Sequence, residues 1–404
     1  MDFTIPADLD QLRQRVAAFV RDEVLPVEEG LEEISDFDHS PVLNNLREKA
    51  RAAGLWAPHL PKEWGGLGVG PLGMALISQE LGASGLAPLA LNCAAPDEGN
   101  MHLLLHAATP TQLEKYLRPL AEGRARSCIV MTEKNVAGSD PTKIRTHAVE
   151  EGRDWVLNGE KWFISGANGA AFGIVMAITN PKAPPHESAS LFLVDTNSPG
   201  WQMVREIPVM GTHGPGGHCE VRLEDVVVSE GGMLGKPGEG FKLTQVRLGP
   251  ARLAHCMRWI GMAQRALDLA AERARQREAF GGKLADKQAI QWMLADSATE
   301  LYASRLMVLH CAWLIESNQL YRQEISFAKL YISEALNHIV DRALQIFGSL
   351  GYSKDTPLER FYRDARAARI YDGTSEVHRM VIARNILRAS QKSGTTKSAT
   401  GGLA

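Results

Sequence analysis

A chain of 404 residues, 45% hydrophobic and 23% charged, has the composition of a globular protein and the length for two or three packed subdomains, which excludes a disordered or collagen-like polymer. A net charge of −3 argues against a generalised nucleic-acid or anionic-membrane surface, so an anionic ligand would need local cations. Cys93, Cys128, Cys219, Cys256 and Cys311 are widely spaced and lack a CxxC pair, so they read as reduced thiols rather than as metal ligands. The N-terminal stretch carries acids early and no cationic region followed by an apolar run. No segment reaches the ~18 uncharged apolar residues of a membrane span, which together points to a soluble, intracellular protein.

Leu9, Leu12, Val16, Phe19 and Val20 recur at helical spacing and predict an amphipathic helix over Asp8 to Val27. Further helices are expected at Pro41–Ala53, Gly73–Leu81, Asn100–His106 and Thr111–Leu120. After Arg126 the texture turns to short β-branched runs: Cys128–Met131, Trp155–Leu157, Trp162–Ile164, Ile174–Ile178, Leu191–Val194 and Val226–Val228. Asn158-Gly159, between two such runs, predicts a type I′ hairpin turn. From Gly240 long helical patterns return at Phe241–Ala274, Lys287–Glu316, Ile325–Phe347 and Glu376–Ala389. The glycine-rich final stretch cannot offset the entropy of ordering it. This predicts an α+β chain divided into an all-α part over 1–126, a β-domain over 127–239, a helix bundle over 240–390 and a disordered tail over 391–404.

Three segments could carry chemistry, and each taken alone reads first as structure. Thr132 to Asp140 supplies hydroxyls and Gly138 after a strand, as an anion-cradling loop or an ordinary polar connection would. Lys161 to Gly166 places two aromatic rings and the Ser165 hydroxyl at a strand end, where a planar ring could stack or a core could form. Asp372-Gly373-Thr374-Ser375 stands at a helix entrance, with Thr374 or Ser375 as cap, so its carboxylate could serve the helix dipole alone. The glycine-crowded Gly211 to Glu220 stretch reads as a turn. The helically spaced Arg360, Arg363, Arg366 and Arg369 read as an ion-paired or interface face.

The motifs TEKNVAGSD, EKWFISG, GEGF, RQREAFGGKLADKQAIQ, QIFGSLGY and IYDGTSEVHR, in this order and approximate spacing, resemble the acyl-CoA dehydrogenase family over nearly the whole chain. LNCAAPDEGNM and YLRPLAEGRARSCIVMTE are closest in texture to the subgroup related to vertebrate acyl-CoA dehydrogenases fused to a kinase-like domain. The resemblance implies an N-terminal α-domain, a central β-domain and a C-terminal four-helix bundle, with FAD as cofactor.

It further implies that Ile129, Met131, Thr132, Gly138 and Ser139 hold the flavin and its pyrophosphate, that Phe163 flanks the ring and that Ser165 approaches N5. Arg277, Phe280, Gln345, Gly348 and Ser349 match positions that complete the FAD site of a neighbouring subunit, hence a homodimer or homotetramer. Thr374 and Glu376 also match cofactor positions, and Ser139, Arg252 and Gly373 match the substrate path.

Asp372 aligns with the catalytic carboxylate, which is Glu in most relatives, while Ala251, at the other place a base is found, cannot take a proton. The implied reaction is α-proton abstraction by Asp372 with hydride loss from the β-carbon of an acyl-CoA, electrons passing to an electron-transferring flavoprotein, in the cytoplasm or, in a eukaryote, the mitochondrial matrix. Two other readings fit the same residues: an acyl-CoA or nitroalkane oxidase of this fold, and a non-catalytic acyl-CoA or flavin carrier.

Overall fold

The computed structural model describes residues 4–28, 40–210 and 214–398, with the side chains of 391–398 left aside. It comprises two compact units, 1–251 and 252–404, the division falling one residue after Pro250 inside the longest helix.

The first unit opens with helices α1 (Ala7–Phe19) and α2 (Pro41–Ala52), with a π turn and a 3-10 turn carrying the first on to Val27. Val16, Phe19, Val20 and Val24 are the buried positions of that first stretch, the stripe its spacing predicts. α2 begins where Ser40 Oγ accepts from the Leu43 amide and Pro41 takes the first helical position. α3 (Pro71–Leu81) and α4 (Ala87–Ala90) close one core over these helices. α5 (Asp97–Ala107), α6 (Pro110–Gln112) and α7 (Arg118–Ala121) pack instead on the sheet, α6 entering through a Thr109/Gln112 capping box.

The sheet contains β1 (Ser127–Val130), β2 (His147–Glu151), β3 (Asp154–Ser165), β4 (Phe172–Ile178), β5 (Ala189–Asp195), β6 (Trp201–Glu206), β7 (His218–Ser229) and β8 (Met233–Leu234). Its order is β6-β7-β3-β2-β4-β5-β8, with β1 parallel to β4. β4 and β5 are covered on both faces, Ile174 and Leu191 facing α5 and α7, Val175 and Phe192 facing the opposite core. That explains why they read as unbroken apolar runs rather than alternating ones.

The hairpin expected at Asn158-Gly159 is not there. β3 runs unbroken through it, and the turn lies at Gly152 and Arg153, between β2 and β3, with Gly152 at φ 68°. Asn158 is clamped across the sheet instead, donating to Asp225 Oδ1 and accepting from the Asp225 amide, both at 2.9 Å. Gly159 is required by close approach, since a Cβ there would lie 2.3 Å from Thr146 Oγ1. β2 and β6, unmarked by β-branched runs, were not expected either.

α8 (Gly240–Gln276) begins in the first unit. The second unit continues with a two-stranded hairpin, β9 (Glu278–Ala279) and β10 (Gly282–Lys283), then α9 (Gln288–Glu316), α10 (Arg322–Phe347), α11 (Ser349–Tyr352), α12 (Leu358–Ala367) and α13 (Ser375–Ser398). The long helices fall where three- and four-residue spacing places them. α13 continues into the stretch expected to be a tail, and 399–404 lie outside the described residues, as do Gly211, Thr212 and His213. Within the arginine run, Arg363 pairs with Glu359 at 2.8 Å and Arg369 with Glu334 at 2.7 Å. No helix among the described residues is long and apolar enough to cross a membrane.

Candidate active site

In the first unit the loop after β1 is bound to the end of β3. The Trp162 amide donates to Thr132 O at 2.8 Å and Thr132 Oγ1 donates to Trp162 O, so Thr132 stands beside Trp162, the residue before Phe163. Strand pairing between β3 and β7 slips between Lys161 and Ile164, and inside that irregularity Phe163 adopts φ 55°. Phe163 is 47% exposed, an apolar residue without full cover. The neighbouring Trp162 ring is already engaged, with Lys134 Nζ at 4.8 Å and the Arg205 guanidinium at 5.2 Å, both cations pairing with Glu220. Of the two adjacent aromatics, Phe163 is therefore the one open to a planar ligand. The Ser165 hydroxyl lies 2.9 Å from His218 Nδ1, and Gly138 and Ser139 are exposed on the loop.

Beneath this loop lies a buried ion pair that sequence reasoning missed. Lys161 Nζ donates to Glu133 Oε1 at 3.1 Å, to Met131 O at 3.0 Å and to Met176 O at 2.8 Å. Glu133 accepts in addition from the Arg145 amide and from the amide and hydroxyl of Thr146. Burial alone would push the Glu133 carboxyl up, but Lys161 and the Thr146 and Arg145 donors outweigh it and hold it below the usual carboxylate range. Burial lowers Lys161 to about 8. The available signal was the two-residue period of β3, which puts Lys161 on the same buried face as Leu157.

In the second unit Asp372 ends the turn between α12 and α13 at φ 54°, followed by Gly373 at φ 96°. Aspartate tolerates this left-handed backbone better than most residues. The turn is tied from several sides. Arg252 Nε on α8 donates to Asp372 O at 2.8 Å, and Lys329 Nζ on α10 donates to Ala368 O and Gly373 O, each at 2.7 Å. Thr374 Oγ1 caps α13 by accepting from the Val377 amide, and Ser375 Oγ donates to Glu334. Burial lowers Lys329 to about 8 and pulls Arg252 down too, the latter against the attraction of Asp372. The Asp372 carboxylate itself meets His255 Nε2 at 3.2 Å, an aligned partner three residues after Arg252 on α8 that the helical period could have flagged. A partly exposed carboxylate fixed at both its backbone and its side chain can serve as a base of defined direction.

The remaining expected site residues lie at the ends of α8 and α10. The Arg273 guanidinium lies 5.6 Å over the Phe347 ring, joining the last turn of α8 to the last residue of α10. Arg277 is exposed just past α8, and Phe280, at the tip of the β9–β10 hairpin with φ 51°, is 99% exposed. A phenylalanine held fully in water on a strained backbone points to a surface completed by something else. Glu376 is exposed on the first turn of α13.

Three family models match consecutive parts of the chain: the N-terminal domain of acyl-CoA dehydrogenases over residues 6–124, the middle domain over 128–226 and the C-terminal domain over 238–387. The Mycobacterium tuberculosis protein FadE2, named a probable acyl-CoA dehydrogenase, is 40% identical over 395 residues, covering 95% of this chain and 96% of that protein. Acyl-CoA dehydrogenase family member 10 of Mus musculus is 38% identical over 94% of this chain, which spans only 37% of that protein's length. A solved Mycobacterium abscessus structure assigned to the acyl-CoA dehydrogenases superimposes with a TM-score of 0.92 at 36% identity, covering 96% of this chain and 100% of that one.

Proposed function

Because the chain belongs to the acyl-CoA dehydrogenase family, we propose that it catalyses the FAD-dependent α,β-dehydrogenation of an acyl-CoA thioester to a trans-2-enoyl-CoA. The observation that carries this reading is the Asp372 carboxylate, held in a left-handed turn by Arg252 and His255. Asp372 takes the α-proton, and the negative charge that develops on the thioester oxygen requires donors at that place. When bound, FAD supplies the acceptor for the β-hydride.

The residues of the first unit fit such a cofactor. Phe163 offers an uncovered flat face, Ser165 a hydroxyl beside it, and Ile129, Met131, Thr132, Gly138 and Ser139 a loop anchored by the Lys161–Glu133 pair. By family resemblance Ser139 also lies on the substrate path; in the second unit the same resemblance assigns Thr374 and Glu376 to the cofactor and Gly373 to the substrate path. Arg252, whose Nε is committed to the Asp372 carbonyl, acts on the geometry of the base.

Electrons then pass to an electron-transferring flavoprotein. The exposure of Phe280 and Arg277 supports a homodimer or homotetramer in which these residues, with Gln345, Gly348 and Ser349, meet the FAD of another subunit.

Anaerobic titration of the FAD-loaded protein with a panel of saturated acyl-CoAs tests the reading. Bleaching of the flavin band by at least one acyl-CoA is expected. Bleaching by nitroalkanes alone would replace it by the nitroalkane oxidase reading, rapid reoxidation by O2 of the acyl-CoA-bleached protein by the acyl-CoA oxidase reading, and full FAD occupancy without bleaching by any substrate by the carrier reading. Arg277→Ala should lower FAD retention, measured as flavin-to-protein ratio after gel filtration, and a fully flavin-saturated monomer in light scattering would contradict the shared site.

A further inference from the structure

His255 is held in a setting that no packing role alone requires. Its ring stacks on Trp259, with centroids 5.8 Å apart and planes 23° from parallel, and meets Tyr371 edge-on at 4.9 Å. Those two rings are themselves joined, Trp259 Nε1 donating to the Tyr371 hydroxyl at 3.0 Å. Two aromatic neighbours thus fix the imidazole plane, and one of them is the residue immediately before Asp372.

The tautomer follows from the other ring nitrogen. Arg258 Nη2 lies 3.5 Å from His255 Nδ1, and a guanidinium can only donate, so Nδ1 is the acceptor and Nε2 carries the hydrogen. Nε2 is the atom 3.2 Å from Asp372 Oδ2.

We propose that His255 is a positioning residue for Asp372: its Nε2–H donates to Oδ2 and so fixes the direction in which the carboxylate meets the substrate proton. The inference rests on the reading of Asp372 as the base. No covalent step is added, since the proton from the substrate α-carbon ends on the Asp372 carboxylate and the Nε2–H stays on His255.

The surroundings make the pair readable. Among the groups that act on Asp372 are Arg252, His255, Cys256, Lys329, Tyr371 and His378. Burial pushes the Cys256 thiol and the Tyr371 phenol up, so both stay neutral, and it pushes His378 down to about 4. Arg252 stays charged and Lys329 titrates only at about 8. Between about pH 5 and 7 these five groups therefore keep their charge states.

The test compares His255→Phe, which keeps a flat ring against Trp259 and Tyr371 but removes the donor, with His255→Gln, whose amide nitrogen can replace Nε2–H. Isotope-edited infrared titration of the FAD-loaded protein follows the Asp372 carboxylate, identified by its loss in Asp372→Asn, and needs no turnover. His255→Phe should raise its protonation midpoint by about one pH unit, and with it the acidic limb of anaerobic bleaching by a saturated acyl-CoA, a roughly tenfold slower rate below the midpoint. His255→Gln should restore both. An unchanged midpoint in His255→Phe, or a midpoint displaced equally in His255→Gln, overturns the inference. Should His255→Phe not fold, the 15N spectrum of the wild-type imidazole, assigned by its loss in His255→Gln, decides: Nε2–H is expected, and Nδ1–H overturns the proposal. If Asp372→Asn bleaches at the wild-type rate, the base assignment fails instead, whatever the infrared midpoint shows.

Discussion

Asp372→Asn should retain its full complement of FAD while anaerobic bleaching by an acyl-CoA slows by about a hundred- to ten-thousand-fold, the usual cost of losing a general base. Asparagine is the appropriate replacement because it is among the few residues at ease at φ 54°, so the turn into α13 should persist. Its side-chain oxygen can still accept from His255 Nε2, and the backbone carbonyl held by Arg252 is untouched. What disappears is the charge, with one carboxylate oxygen replaced by an amide nitrogen. Asp372→Glu restores a carboxylate on one more methylene, displaced from His255 and on a backbone less suited to it. It should bleach at least about tenfold faster than Asp372→Asn while remaining below the wild type. Rapid-mixing absorbance, with flavin content and thermal midpoint checked separately, measures each arm. A wild-type rate in Asp372→Asn would reduce the residue to a helix-entrance carboxylate.

The parts of this site that could be read from the chain are those whose cause is local. Thr374 caps α13 because a hydroxyl three residues before an amide is a neighbourhood event, and α8, α9, α10 and α13 follow from spacing alone. Asn158-Gly159 misled for the same reason. Its turn propensity is local, but Asp225, 67 residues away, claims both polar atoms of the Asn158 side chain and keeps β3 extended. The uncovered ring of Phe163 arises from a register slip against β7, which no stretch of β3 encodes by itself. Lys161 and Glu133 were overlooked because charged residues are expected at the surface, and only the fold shows a lysine wholly enclosed with three acceptors.

Glu133→Ala should destabilise the protein by about 3–5 kcal/mol, the cost of leaving one member of a buried ion pair unpartnered. The change strands the Lys161 ammonium between two carbonyls and removes the acceptor of the Arg145 amide and of the Thr146 amide and hydroxyl. Lys161→Met should cost less, about 1–3 kcal/mol, because Glu133 keeps those three donors. FAD affinity should fall with stability in both variants, since Lys161 also holds Met131 O, the carbonyl just before the loop that begins at Thr132.

The pH dependence has a definite sign. Lys161 titrates at about 8 in the folded chain, below its ordinary value of 10.5, so between these values the unfolded chain binds the extra proton and folding gains as pH rises. Glu133 is depressed, so its contribution is present above its ordinary value of 4.5 and is lost as pH falls through the folded one. The stability difference between wild type and Lys161→Met should therefore grow in favour of the wild type from about pH 8 to 10. Urea unfolding across that range, with the mobility of the loop followed by hydrogen exchange at Thr132 to Ser139, measures it. A Glu133→Ala protein that unfolds at the wild-type urea concentration and binds FAD as tightly would show that the pair is a passenger of the fold and that the loop is held by the Thr132–Trp162 bonds alone.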